Sequence, residues 1–372
     1  MIYFDYCATT PLDKRVATII SEVNENVFGN PSSVHRFGQE ARGYIEHARR
    51  QLASAINSEP SEIIFTGSGS EANNLALWNV VYGERKHIIT SAIEHPSVTD
   101  TVAKLEDLGI RTTFIDVDSY GMVNPEDISK AIREDKTGLV TIMTANNETG
   151  TIEPIQDIAQ LCSEAGVQFH SDAVQALGKI PIDVKNLNVT TMSFSAHKLY
   201  GPKGVGALYV KKGTNLHPLI VGGGQEGRLR GGTENVAGIA GFGLAAEIAI
   251  ENLEKEAIRL EKLQKKFLEK LTSDIPGIIV NGFPDSHLPG VINLTIPGVN
   301  GNTLLMNLDL DGIAISTGSA CSSGTIKPSR VLKAMGISDE LNLQTMRISF
   351  GRFTQKEDIA TLVQAMTQHI RN

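Results

Sequence analysis

The sequence predicts an α/β protein: a large domain with a mostly parallel central sheet flanked by helices, and a smaller α+β domain. Three observations carry that prediction. From Glu62 to Val210, apolar runs of strand length alternate with segments of helix length and helical apolar spacing. The chain has 372 residues, more than one hydrophobic core ordinarily serves. Past Asn235 the alternation gives way to a long helix, charged in its second half, and then to sparser strands. Alternating strands and helices imply right-handed crossovers, which put all the strand C-termini on one edge.

The elements follow in order. Residues 1–14 are extended and end in Ala8-Thr9-Thr10-Pro11. A helix spans Asp13 to Asn26, because Asp13 can cap and Val16, Ile19, Ile20 and Val23 recur at helical spacing. A loop at Gly29-Asn30-Pro31-Ser32-Ser33 precedes a helix over His35 to Asn57. Strands are expected at Ile63–Phe65, His87–Thr90, Thr112–Ile115, Leu139–Met143, Val167–His170, Val189–Phe194 and Ala207–Val210. Helices lie between them at Glu71–Val81, His95–Leu108, Pro125–Arg133 and Ile155–Ala165. One helix runs from Asn235 to about Leu271 and carries the chain out of the first domain. Beyond it come strands at Val291–Ile296 and Met346–Phe350 and helices at Asn302–Leu308, Ser329–Met335 and Gln355–Ile370. The large domain is expected over 15–255, and the small domain over 1–14 and 256–372.

Composition removes several function classes. Net charge is −8, which argues against a nucleic-acid binder or a basic membrane-surface protein. No apolar run reaches the roughly 18 residues that span a bilayer. Met1-Ile2-Tyr3-Phe4-Asp5-Tyr6 is too polar for a secretory signal. Three scattered cysteines, Cys7, Cys162 and Cys321, make no disulfide framework and suit a reducing cytoplasm. No Cys/His spacing matches a metal site. There is no Gly-Lys-Ser/Thr phosphate loop and no dinucleotide fingerprint.

Polar residues gather at five successive strand ends: Gly69/Ser70, Glu94/His95, Asn146/Asn147, Asp172/Gln175 and Ser195/His197/Lys198. Open α/β sheets bind ligands at that edge. Lys198 sits at a strand end on backbone bent by Gly201, Pro202, Gly204 and Gly206, which makes it a candidate Schiff-base lysine for pyridoxal phosphate rather than a solvated turn lysine. The other requirements of that cofactor have candidates too. Asp172 can face the pyridine nitrogen, or can cap a helix starting at Ala173. Gly69 and Ser70 open a helix and can hold the phosphate, with donors added by Ser195 and His197. His95 can stack on the ring. Gln175 and Asn147 can donate to the phenolic oxygen and to a substrate, or can be ordinary turn residues. Thr233, in a glycine-rich loop, can reach a phosphate.

A second centre is Ser316-Thr317-Gly318-Ser319-Ala320-Cys321-Ser322-Ser323-Gly324. Cys321 has almost nothing apolar beside it, unlike Cys162 in a helix, and reads as an exposed nucleophile on a mobile loop. Cys7 reads as packing. Arg347, on a following strand, fits either a bidentate grip on a substrate carboxylate or a structural ion pair.

These residues resemble the cysteine desulfurases of the NifS/IscS type, pyridoxal-phosphate enzymes of fold type I in the class V aminotransferase family. The resemblance runs nearly end to end. It is carried by Tyr3-Phe4-Asp5-Tyr6-Cys7-Ala8-Thr9-Thr10-Pro11, Gly29-Asn30-Pro31-Ser32-Ser33, Glu94-His95, Asn146-Asn147-Glu148-Thr149-Gly150, Asp172-Ala173-Val174-Gln175, Ser195-Ala196-His197-Lys198, Arg230-Gly231-Gly232-Thr233, Gly318-Ser319-Ala320-Cys321 and Arg347-Ile348-Ser349-Phe350-Gly351-Arg352.

The resemblance implies that Lys198 binds the cofactor covalently and that Gly69, Ser70, Ser195, Ala196 and His197 hold its phosphate. Thr233 would join them from a partner subunit of a homodimer. It implies Asp172 on the pyridine nitrogen, Gln175 on the phenolic oxygen, His95 as the catalytic stacking residue, and Asn147 with Arg347 on the carboxylate of L-cysteine. Cys321 would take the sulfur as a persulfide, leave L-alanine, and pass the sulfur to an acceptor protein, an iron–sulfur scaffold or a thiolation enzyme. No metal is resident, although Cys321 can meet an iron–sulfur cluster during transfer. Neither nucleic acid nor membrane is expected as a direct partner. The run from Cys321 to Arg347 resembles the long-loop members of the family. Two departures stand out. Thr66-Gly67-Ser68-Gly69-Ser70-Glu71 exchanges glycine and serine relative to the usual pattern, and Cys7 replaces a usual Ser, Asn or Ala. The same residues also accommodate an aminotransferase or a selenocysteine lyase, which Cys321 discriminates, or a non-catalytic adaptor, against which the intact Lys198 argues.

Overall fold

A computed structural model of the chain describes residues 1–317 and 327–371. Its strands in chain order are β1 (Ile2–Tyr3), β2 (Ile63–Thr66), β3 (His87–Ser91), β4 (Arg111–Ile115), β5 (Thr137–Thr141), β6 (Gln168–Asp172), β7 (Thr191–Ser195), β8 (Gly206–Val210), β9 (Ile279–Asn281), β10 (Val291–Thr295), β11 (Ile313–Ala314) and β12 (Thr345–Ser349). Seven of them form the large sheet, in the order β2-β8-β7-β6-β5-β3-β4. β3 to β7 pair in parallel, while β8 runs antiparallel to both β7 and β2. The strand C-termini therefore share one edge except for that of β8. The link from β7 to β8 is too short for a crossover, and only antiparallel neighbours can be joined so tightly. Tyr200 (φ 67) and Gly204 (φ 78) supply its left-handed turns.

The large sheet is filled on one side by a core that includes Phe65, Val140, Phe169, Met192, Phe194 and Phe242. A second cluster on Leu75, Leu77, Ile88, Val102 and Leu208 fills the other. The helix Val236–Glu251 is buried on nearly every side, so it lies inside the structure rather than on its surface. A Cβ at Gly243 would lie 2.4 Å from Ala48 Cα, so glycine is what lets this helix close on Arg36–Ala55.

The single helix expected over Asn235–Leu271 is two helices, Val236–Glu251 and Leu253–Asp274, meeting at 70°. At the break, Asn252 Nδ2 donates back to Ile248 O at 2.8 Å. The bend exists because its two arms serve different cores: Ala249 packs in the first, while Leu260, Leu263 and Phe267 pack in the second with Phe4, Leu294, Ile348 and Phe350. That second core covers an antiparallel sheet of order β12-β10-β9, with β1 pairing in parallel to β11 beside it. β1, β9 and β11, of two or three residues each, were not expected. No single helix among the described residues is long and apolar enough to cross a membrane.

Candidate active site

Beyond β2 the chain turns at Gly67-Ser68 and starts the helix Gly69–Trp78, two residues earlier than the apolar pattern indicated. Ser68 Oγ accepts from Glu71 N (3.1 Å) and Glu71 Oε2 accepts from Gly67 N (2.8 Å). The N–H groups of Gly69 and Ser70 are left without an acceptor among the described residues, at the positive end of a helix. Side chains are sterically barred here. A Cβ at Gly69 would stand 2.6 Å from Val174 Cγ2 and 3.3 Å from Ser195 Cβ, and one at Gly206 would stand 2.4 Å from Ser68 C. Ser195, at the buried end of β7, is thus beside the turn, and Ala196 is buried with its N–H on Val205 O (3.1 Å). Arg230 Nε donates to Glu71 Oε1 at 2.9 Å and ties the later glycine loop to this turn.

Lys198 follows β7 by three residues. Its Nζ donates to Cys7 O (2.6 Å) and Ala8 O (2.8 Å). The N-terminal segment is stitched over it: Thr10 Oγ1 donates to His197 O (2.9 Å) and accepts from Tyr200 N (2.7 Å), and Thr9 Oγ1 meets His197 Nδ1 (3.1 Å). Burial, with the charges of Lys179 and Arg347, pushes the Lys198 amine down to about 8. Burial and the Lys198 and Lys203 charges push His197 down to about 4, so its ring is neutral.

Asp172 ends β6. Its Oδ1 accepts from Val174 N (2.9 Å) and its Oδ2 from Asn73 Nδ2 (2.7 Å). The helix cap foreseen as its alternative is absent, because no helix begins at Ala173; Asp172 caps a turn instead. His95 caps the helix Pro96–Glu106, and its Nδ1 also meets Ser97 Oγ at 2.8 Å. Gln175 Nε2 donates to Cys7 O (2.9 Å) while its Oε1 accepts from Lys179 Nζ (2.6 Å). One backbone carbonyl, that of Cys7, therefore receives both Lys198 and Gln175.

Arg347 lies on β12, buried. Its Nη2 pairs with Asp5 Oδ1 (2.7 Å), its Nη1 donates to Asn147 O (3.0 Å), and its Nε has no partner among the described residues. The ion pair foreseen as one role of Arg347 is present. Ser316 and Arg347 exchange both backbone bonds, at 2.6 and 3.0 Å. Cys321 lies outside the described residues. The chain on its far side is held where Ser329 Oγ donates to Glu148 Oε2 (2.6 Å), so both flanks are anchored around Asn147-Glu148 and Arg347. Thr233 lines a cavity with Gly67, Glu226 and Arg230, away from Lys198.

Four contributors escaped the sequence reading: Asn73, His170, Lys179 and Asp5. His170 carried a usable signal, since it lies two residues before Asp172 on one strand and so on the same face. The residues present fit pyridoxal phosphate. Free helical N–H groups beside a hydroxyl suit its phosphate, a buried carboxylate suits its ring nitrogen, and an amine with lowered pKa suits its aldehyde.

A family model described as aminotransferase class-V matches residues 2–362. The chain is 48% identical to "Cysteine desulfurase IscS" of Dictyoglomus turgidum over 361 residues, covering 96% of this chain and 91% of the relative. It superposes on a solved structure described as "NIFS-like protein" with a TM-score of 0.94 at 37% identity, covering 100% of this chain and 99% of that one. A structure described as "SspA in complex with cysteine" gives a TM-score of 0.84 at 36% identity, covering 95% and 100%. The chain belongs to the aminotransferase class-V family of pyridoxal-phosphate proteins, among its cysteine desulfurases.

Proposed function

We propose that the chain takes sulfur from L-cysteine, leaves L-alanine, and carries the sulfur as a persulfide on Cys321. The observation that supports this best is the meeting of Lys198, Asp172 and the Gly69-Ser70 turn at one edge of the sheet. Pyridoxal phosphate supplies, when bound, the electron sink for charge developing at the substrate Cα. Lys198 holds it covalently, and Gly69, Ser70, Ser195 and His197 hold its phosphate, whereas Ala196, whose N–H is on Val205 O, has no donor to offer. Asp172 faces the ring nitrogen, Gln175 the phenolic oxygen, and His95 covers the ring.

Asn147 and Arg347 receive the substrate carboxylate, for which the unpartnered Nε of Arg347 is a spare donor. The freed Lys198 amine, with a pKa of about 8, is suited to moving the Cα proton near neutral pH. The Cys321 thiolate attacks the substrate sulfur. An S–S bond forms, the C–S bond breaks with its electron pair going to carbon, and protonation of that carbon completes alanine.

The working unit is a homodimer in which Thr233 completes the phosphate site of the second copy. Thr233 borders the same surface cavity as Phe28, which is exposed along with Val34 and Phe37. The chain divides into 15–255, and 1–14 with 256–372, in keeping with the two cores joined at Asn252. It works in the cytoplasm, where a reactive thiol stays reduced, and hands its sulfur to an iron–sulfur scaffold or a thiolation enzyme. The test is to supply L-cysteine and read alanine and the mass of the Cys321 peptide. One added sulfur on Cys321 with stoichiometric alanine is expected, and both should vanish in Cys321→Ser. Alanine formed at the wild-type rate by that variant overturns the transfer mechanism.

A further inference from the structure

We propose that Asn73 and His170 are positioning residues: a buried one-way hydrogen-bond chain through them holds the Asp172 side chain toward the cofactor's ring nitrogen and sets His95 from the same amide. The inference rests on the cofactor contacts of Lys198 and Asp172 proposed above. Asn73 is 1% exposed and His170 0%. Asn73 Nδ2 lies 2.7 Å from Asp172 Oδ2 and 2.8 Å from Ser97 Oγ, and Asn73 Oδ1 lies 3.1 Å from His170 Nε2. His170 Nδ1 lies 2.9 Å from Thr191 Oγ1, and Ser97 Oγ lies 2.8 Å from His95 Nδ1.

The carboxylate fixes every direction in this chain. A carboxylate only accepts, so the Asn73 amino group must face Asp172, and the Asn73 carbonyl must face His170. His170 therefore carries its proton on Nε2 and accepts from the Thr191 hydroxyl on Nδ1. Burial pushes His170 down to about 3, so it holds one proton at any working pH. The second Asn73 hydrogen goes to Ser97 Oγ, whose own hydrogen goes to His95 Nδ1, leaving the His95 proton on Nε2.

The consequence is a lock. Were the Asn73 amide to flip, its carbonyl would face the Asp172 carboxylate and destabilise the charge. The His170 N–H prevents the flip, and the donors on both Asp172 oxygens hold its side chain in place.

The test uses the cofactor-loaded dimer and two readouts besides turnover: the cofactor dissociation constant, and the pH midpoint of the visible absorbance of the Lys198-linked cofactor. Asn73→Ala and His170→Leu should each weaken cofactor binding about tenfold. They should also raise the midpoint by about half a pH unit or more, because an unprotonated ring withdraws less charge from the Lys198 nitrogen. His170→Gln, which keeps an N–H donor, should restore both to within about threefold. Thr191→Val removes only the hydroxyl that fixes the tautomer and should move both readouts the same way by about threefold, which keeps the test alive if His170→Leu does not fold. Folded His170→Leu and Asn73→Ala with wild-type values in both readouts overturn the proposal. Wild-type protein with no borohydride-fixed cofactor on Lys198 overturns the underlying reading, and the chain with it.

Discussion

The floor and the roof of the site hold their polar groups in opposite ways. The floor is the edge of the large sheet, where Asp172 has donors on both oxygens and one of them, Asn73, is itself buried and bonded to His170. The roof is built from the N-terminal segment and β12. There Arg347 bridges Asp5 and the Asn147 carbonyl yet keeps a buried Nε with no partner among the described residues. A carboxylate bonded on both oxygens suits a resident group whose position must not drift. A wall with a donor in reserve suits a ligand that comes and goes. The cofactor is thus read from the floor and the reaction from the roof.

The sharpest way to break that division is Lys198→Ala. It removes a side chain whose bonds among the described residues are to two carbonyls, so the fold should survive. Alanine production should fall at least about a thousandfold, and borohydride should no longer fix cofactor to the chain. Cys321→Ser should leave the fixed cofactor intact while stopping transfer. Cofactor still fixed in Lys198→Ala would mean that Lys179 or Lys203 holds it, and the floor would have to be redrawn.

A second effect belongs to the floor alone. Glu94 is completely buried between β3 and the end of β5, with Oε1 accepting from Ser91 Oγ (2.6 Å) and Met143 N (2.9 Å) and Oε2 without a partner. Burial pushes its carboxyl up to about 8 from 4.5. The folded state therefore keeps a proton that the unfolded chain releases. The resulting stability is full below pH 4.5 and is lost as pH rises toward 8. Glu94→Gln keeps the acceptor and has nothing to titrate. Relative to wild type it should gain about 2–4 kcal/mol between those limits, read as urea unfolding at pH 5 and pH 8.5. An unchanged difference between the two pH values would show Glu94 charged in the fold.

How much of this was legible in the sequence depended on how local each signal is. Lys198, Asp172, Gly69, Ser70 and His95 stand where a strand stops or a helix starts, and the apolar period marks those places. Asn73 and His170 are 97 residues apart, and Arg347 and Asp5 are 342 apart. Those pairings exist only once the helix Gly69–Trp78 packs on β6 and Asp5 bridges to Ser349 at the end of β12. The 70° break at Asn252 was hidden for a related reason. Nothing in that stretch forbids a continuous helix, and the bend follows from two cores claiming its two arms. β8 ran against expectation because alternation suggests parallel strands while the turn after Lys198 allows only a hairpin.

The roof gives the third test. Arg347→Lys keeps the charge but loses the planar fork that spans Asp5 and Asn147. KM for L-cysteine should rise about tenfold with a smaller change in kcat. A fall in kcat at constant KM would place Arg347 in holding the fold rather than in gripping the carboxylate.

The smallest effect is expected where the floor meets the Thr233 loop. Glu71 serves both: Oε2 accepts from Gly67 N to close the phosphate turn, while Oε1 accepts from Arg230, three residues before Thr233. The pair is partly exposed, 24% at Arg230 and 16% at Glu71, so solvent weakens it. Glu71→Gln keeps one oxygen and sets an amino group against the other donor. It should cost about 0.5–1 kcal/mol, read as a roughly twofold to fivefold weaker cofactor dissociation constant. Because the turn is also capped by Ser68, the loss should stay within that range. Raising salt should narrow the gap between variant and wild type, since only the wild type has the ion pair to screen. A gap that holds at high salt would assign the effect to the Gly67 hydrogen bond, making the turn itself, rather than its tie to the Thr233 loop, the element that retains the phosphate.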